Sequence, residues 1–174
     1  MNVVCFGDSN TYGYDPCDKF GEHYSRRWTD ILAELTGWNV INEGVNGREV
    51  PDEPICLEPD TDLFIVMLGT NDLLQLDSPE AIADRMEAFL SGALPEKLVL
   101  VAPPAMVWGD WVQEQDLIDD SLQVARLYEA LAKRIGVRYI DTTGWNIPIA
   151  SDGVHFTLEG QRVFADFLAK ELFK

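Results

Sequence analysis

The chain has only two histidines, His23 and His155, and three cysteines, Cys5, Cys17 and Cys56. Three thiols without metal-ligand spacing make no zinc cluster, and an odd number makes no disulfide framework. Free thiols suit a reducing compartment, and Cys5, inside an apolar run, reads as a small hydrophobe. Basic residues are scarce: 13 Lys and Arg stand against 30 Asp and Glu, for a net charge of −17. The acids are spread along the chain and repel phosphate backbones and anionic membranes, so neither is an expected partner. No apolar run approaches the roughly 20 residues that cross a bilayer. Met1-Asn2-Val3-Val4 lacks the order of a signal peptide, so a cytoplasmic location is expected. Repeats, low-complexity tracts and linkers are absent, and 174 residues suit one domain, 1–174.

What is present is an alternation of two periods. Apolar runs at 2–6, 39–42, 63–68, 97–102 and 137–140 are continuous, as in strands buried on both faces. Between them, Trp28, Ile31, Leu32 and Leu35 follow helical spacing, and Gly37 supplies a stop. Ser78-Pro79 opens a helix carrying Ile82, Met86, Phe89 and Leu90 on one face. A long helix runs through Leu117, Val124, Tyr128, Leu131 and Ile135 to Gly136. Thr157 caps a last one with Phe164, Phe167, Leu168 and Leu172. Alternating β and α predicts a parallel sheet with helices on both faces and ligands at the carboxyl ends of the strands. The stretch between Asn42 and Leu63 is the exception, since Pro51, Pro54 and Pro59 leave room for at most a short helix.

Ser9 stands in Phe6-Gly7-Asp8-Ser9-Asn10, directly after the first predicted strand, and Asp152-Gly153-Val154-His155 lies near the other end. A serine hydroxyl is a poor nucleophile until an imidazole takes its proton, and His155 is the prime candidate base. Asp152, three residues earlier, is near enough on a tight turn to reach Nδ1 and hold the tautomer. An oxyanion needs positioned donors. The Ser9 N–H, the N–H of Gly47 and the side-chain amide of Asn71, in Gly69-Thr70-Asn71-Asp72, are candidates. The nucleophile elbow of the α/β-hydrolases is not met, because position 11 is Thr where it needs Gly.

Gly7-Asp8-Ser9-Asn10, Gly47, Gly69-Thr70-Asn71-Asp72 and Asp152-Gly153-Val154-His155 resemble, in order, the four blocks of the SGNH hydrolases, or GDSL esterase/lipase family. Thr11-Tyr12-Gly13 and Glu43-Gly44-Val45-Asn46-Gly47-Arg48 look most like its arylesterase and acyltransferase branch. The resemblance implies an α/β, flavodoxin-like three-layer α/β/α sandwich around a five-stranded parallel sheet. It also implies Ser9 as nucleophile, Asp152 and His155 completing a triad, and Gly47 and Asn71 as oxyanion donors. Gly44 rivals Gly47, but the branch places its oxyanion residue just before the Arg. Asn10 stands where the family name has Leu, and the proline-rich crossover replaces a longer helix.

These residues lead us to expect a serine esterase acting on short-chain acyl esters, acetyl esters of small alcohols or sugars among them. So little chain remains beyond the core that a lid for long acyl chains has no room. Acyl transfer shares every catalytic residue, and an inactive binding module on the same fold is a further alternative. Tyr12 and Trp108 either flank the substrate or pack loops onto the sheet. No metal or cofactor is expected, and the branch resemblance suggests a homo-oligomer.

Overall fold

Strands with apolar side chains at successive positions, such as Leu63-Phe64-Ile65-Val66-Met67, must be covered on both faces. In the computed structural model, which describes residues 1–174, this is what the helices do. The strands are β1 (Asn2–Gly7), β2 (Asn39–Gly44), β3 (Leu63–Met67), β4 (Leu98–Val101) and β5 (Arg138–Ile140). They form one parallel sheet in the order β2-β1-β3-β4-β5. The helices are α1 (Ser9–Tyr12), α2 (Trp28–Thr36), α3 (Thr70–Leu74), α4 (Pro79–Leu90), α5 (Gln115–Ile135) and α6 (Leu158–Leu172).

Because side chains alternate along a strand, β3 feeds two cores. Ile65 and Met67 pack with Trp28, Leu32, Phe164 and Leu168 of α2 and α6. Phe64 and Val66 pack with Ile82, Met86, Val124 and Tyr128 of α4 and α5. The result is the three-layer arrangement with five parallel strands. Caps end these helices as expected: Ser78 and Thr157 accept N–H bonds at the starts of α4 and α6. Gly37 and Gly136 close α2 and α5 in the left-handed conformation.

β2 departs from the expectation of a strand buried on both faces. Its residues alternate between exposed and half-buried, because β2 is a sheet edge and no helix lies between it and β3. The crossover leaves a groove of about 280 Å³ against the sheet, floored by Val4, Phe6 and Phe64. Its inner end is fixed instead by a buried carboxylate, with Asp72 accepting from the Val50 N–H at 3.0 Å. No helix of the fold is long and apolar enough to cross a membrane.

The chain leaves β1 for β2 on one side and returns to β3 on the other. The carboxyl end of β1 is therefore the point where the winding changes direction, and a crevice opens there. Ser9 is the second residue beyond that end.

Candidate active site

Each strand contributes one loop to this edge. Ser9 follows β1, Asn46 and Gly47 follow β2, Asn71 follows β3, Trp111 follows β4 and His155 follows β5. Asp8 caps α1 through an Oδ1 that accepts the Asn10 N–H at 2.9 Å, which sets the turn that presents Ser9.

Ser9 Oγ lies 2.9 Å from His155 Nε2, and His155 Nδ1 lies 2.8 Å from Asp152 Oδ2. All three side chains are buried. Asp152 Oδ1 accepts the main-chain N–H groups of Val154 and His155, each at 2.9 Å. Burial by itself would raise this carboxyl, but those N–H groups and the His155 ring hold it below its ordinary value. Asp152 therefore stays ionised beside the imidazole.

The turn that carries Asp152 and His155 is locked from the β4 side. Val107 N–H donates to Gly153 O at 3.0 Å, Asp110 N–H to Ser151 O at 2.9 Å and Trp111 N–H to Asp152 O at 3.0 Å. Gly153 has φ +86, and a Cβ there would sit 2.2 Å from Val107 O, so both the conformation and the contact require glycine.

A cavity of about 270 Å³ opens over Ser9 and His155, walled by Tyr14, Asn46, Gly47, Asn71 and Trp111. Asn71 lines the cavity, and its Nδ2 donates one hydrogen to Arg48 O at 3.0 Å and has a second to give. Arg48 is itself held, with its guanidinium 3.9 Å above the Phe6 ring and bonded to Gly7 O and Glu43 O. Of the two rival glycines, Gly47 lines the cavity, at φ +75, while Gly44 is needed for packing. A Cβ on Gly44 would come within 2.0 Å of Tyr12 N.

The two aromatic residues singled out in the sequence stand elsewhere. Tyr12 packs edge-on against His23, 5.3 Å between ring centroids, and Trp108 is 60% exposed on the loop after β4. Tyr14 and Trp111 take the cavity positions, with rings 4.7 and 5.1 Å from that of His155. The available signals were glycines. Gly13 ends α1 in the left-handed conformation at φ +85, directly before Tyr14, and Gly109 lets the β4 loop lie flat on the Asp152–Gly153 backbone. Asn46 carried no signal beyond its place next to Gly47.

One group of carboxylates, Glu49, Asp72 and Asp77, comes within 4.8 Å of one another. Two of them, Asp72 and Asp77, bond the Arg85 guanidinium.

Solved structures share this architecture. A native aryl esterase from M. smegmatis superposes with a TM-score of 0.83 at 26% identity, over 99% of this chain and 98% of that one. Est24, a carbohydrate acetylesterase from Sinorhizobium meliloti, gives 0.84 at 25% identity, with the same coverage of 99% and 98%. A lipase/acylhydrolase from Enterococcus faecalis, at 20% identity and TM-score 0.75 over 99% and 95% of the chains, shares the fold. No curated protein sequence matches the chain. The profile of the GDSL-like Lipase/Acylhydrolase family matches residues 5–163, nearly the whole sequence. The chain therefore belongs to the GDSL-like lipase/acylhydrolase family of carboxylic ester hydrolases.

Proposed function

We propose that this protein hydrolyses short-chain acyl esters of small alcohols through an acyl-enzyme on Ser9. The observation that carries the reading is the chain of two short contacts, Ser9 Oγ to His155 Nε2 and His155 Nδ1 to Asp152 Oδ2. Ser9 Oγ bonds to the ester carbonyl carbon while its proton passes to Nε2. The carbonyl oxygen takes up negative charge and accepts from the Ser9 N–H, the Gly47 N–H and the free hydrogen of Asn71 Nδ2. Collapse breaks the bond to the alcohol, which leaves with the proton from Nε2. Water then gives a proton to Nε2 and bonds to the acyl carbon; the bond to Ser9 Oγ breaks, Oγ takes the proton back from Nε2, and the acid is released.

The walls of the cavity support a division between the two halves of the substrate. The departing alcohol must take its proton from Nε2, so it lies on the His155 side, between Tyr14 and Trp111. Flat-faced alcohols, aryl groups or the apolar face of a sugar, suit that side. The acyl group lies toward Asn46, Gly47 and Asn71, where the walls are polar, and short acyl groups suit them. The names of two similar structures, an aryl esterase and a carbohydrate acetylesterase, support flat-faced alcohols and short acyl groups as the substrate class, not where each half binds.

Hydrolysis of nitrophenyl esters from acetyl to palmitoyl tests the proposal. Turnover should be confined to the short esters and vanish in Ser9→Ala, while Asn71→Ala should lower kcat roughly 10²–10³-fold. Full activity in Ser9→Ala would remove the acyl-enzyme, and a loss under about threefold in Asn71→Ala would remove that donor. Adding an alcohol measures how the acyl-enzyme divides between water and transfer, since hydrolysis releases only the free acid.

A further inference from the structure

Nucleophile and base come from opposite ends of the sequence, 146 residues apart, and must meet within hydrogen-bond distance. The residue next to the nucleophile spans that gap. Asn10 is 4% exposed, and its side chain reaches the His155 loop with both of its functions. Its Nδ2 donates to Val154 O at 3.1 Å, and its Oδ1 accepts the Phe156 N–H at 2.9 Å. These are the residues immediately before and after His155, so one amide holds the main chain on both sides of the base. The main chain of Asn10 is anchored in turn. Its carbonyl accepts the Trp28 indole N–H at 3.1 Å, and the Trp28 N–H donates to Gln161 Oε1 at 2.9 Å. Trp28 is buried, and Gln161 lies on α6, the helix that follows the His155 loop.

We infer that Asn10 is a positioning residue that sets the distance between Ser9 Oγ and His155 Nε2. Both ends of its amide are engaged, so it cannot rotate without breaking the bond to Val154 O and the bond from the Phe156 N–H. The main-chain atoms on either side of His155 are held relative to the same turn that presents Ser9. Asp152 orients the imidazole within its own loop; Asn10 fixes that loop against the nucleophile. The inference rests on the serine-hydrolase reading of the site.

The test uses Asn10→Leu, which has similar volume and no hydrogen-bonding group, together with Asn10→Ala. Active sites are first counted by labelling with a sulfonyl fluoride, so that misfolded protein is left out. Hydrolysis of nitrophenyl acetate per labelled site should then fall about 10–100-fold in kcat, with KM within about twofold, as an ångström-scale misplacement of reacting groups gives. The rate of labelling should fall in parallel, since it also needs Ser9 activated by His155. Lower thermal stability with unchanged kcat per labelled site would overturn the inference and make Asn10 purely structural. A change in KM alone would overturn it as well. If Asn10→Ala does not fold, Asn10→Leu alone decides. A parent protein that neither labels at Ser9 nor turns over the ester would refute the reading of the site itself. A parent that labels while Asn10→Leu labels equally fast would refute only the role of Asn10.

Discussion

Asp8, next to Ser9, and Asp152, beside His155, are both buried, and their surroundings move them in opposite directions. Burial pushes the Asp8 carboxyl up to about 7; Asp72 adds to this and the Asn10 N–H works against it. Between pH 4 and 7 folded Asp8 keeps a proton that the unfolded chain has released, so its contribution to stability falls as pH rises. Asp152, held below its ordinary value, contributes stability above about pH 4 and loses it on further acidification. In Asp8→Asn the capping oxygen remains and the proton is gone. Urea unfolding from pH 5 to pH 8 should therefore show the parent losing more stability than Asp8→Asn, by an amount on the order of 1–3 kcal/mol. Equal losses would mean that Asp8 is ionised throughout that range.

At the scale of elements, the crossover from β2 to β3 has a task that a helix usually shares. Residues 45–62 must cross the sheet edge, carry Gly47 into the cavity and bring Arg48 O to Asn71. Without a helix, its order depends on fixed points, of which the bond from Val50 N–H to Asp72 is the most buried. Asp72 also takes the Arg85 guanidinium, so one carboxylate joins the crossover, α3 and α4. Asp72→Ala should destabilise the fold by about 1–3 kcal/mol, because it leaves the buried Val50 N–H without its acceptor and Arg85 with Asp77 alone. It should also lower kcat, since Asn71 is oriented through the segment that Asp72 holds. A chemical-denaturation midpoint equal to that of the parent would show that the crossover is fixed elsewhere.

At the scale of the whole molecule, a charge of −17 is spread over a surface with few basic residues. Several of those basic residues are committed to local pairs, such as Arg162 with Glu159 and Asp166 on α6. Such exposed pairs contribute little, and net self-repulsion remains. Raising sodium chloride from about 10 mM to about 300 mM shortens the screening length severalfold. The melting temperature should rise by about 2–4 °C, the equivalent of about 1 kcal/mol in a chain this long. A flat or falling melting temperature would mean that the acids are already dispersed enough not to oppose folding.

How much of this was legible in the linear chain depends on the range of the forces involved. Strand and helix positions follow from local periodicity, so the five strands and the caps Ser78, Gly37, Gly136 and Thr157 could be read directly. The Asp152–His155 pair was also legible, because its contact spans three residues and a tight turn makes it. Ser9 announced itself by its place after the first strand. The identity of the cavity walls was not legible. Tyr12 and Tyr14 differ by two positions, and Tyr14, which follows the left-handed Gly13 and bridges His23, is the one that packs on His155. Trp108 and Trp111 share one loop, and the choice between them is made by main-chain bonds to a segment some forty residues further on. Asn10 looked like a departure from a motif, and its two partners become visible only when both ends of the chain are brought together. The sequence by itself determined the strands, the longer helices and the candidate nucleophile and base, because short-range sterics and periodic burial act along the chain. Tertiary structure alone decided which side chains wall the cavity and which amide ties the Ser9 turn to the His155 loop, because those contacts exist only where distant loops meet at the sheet edge.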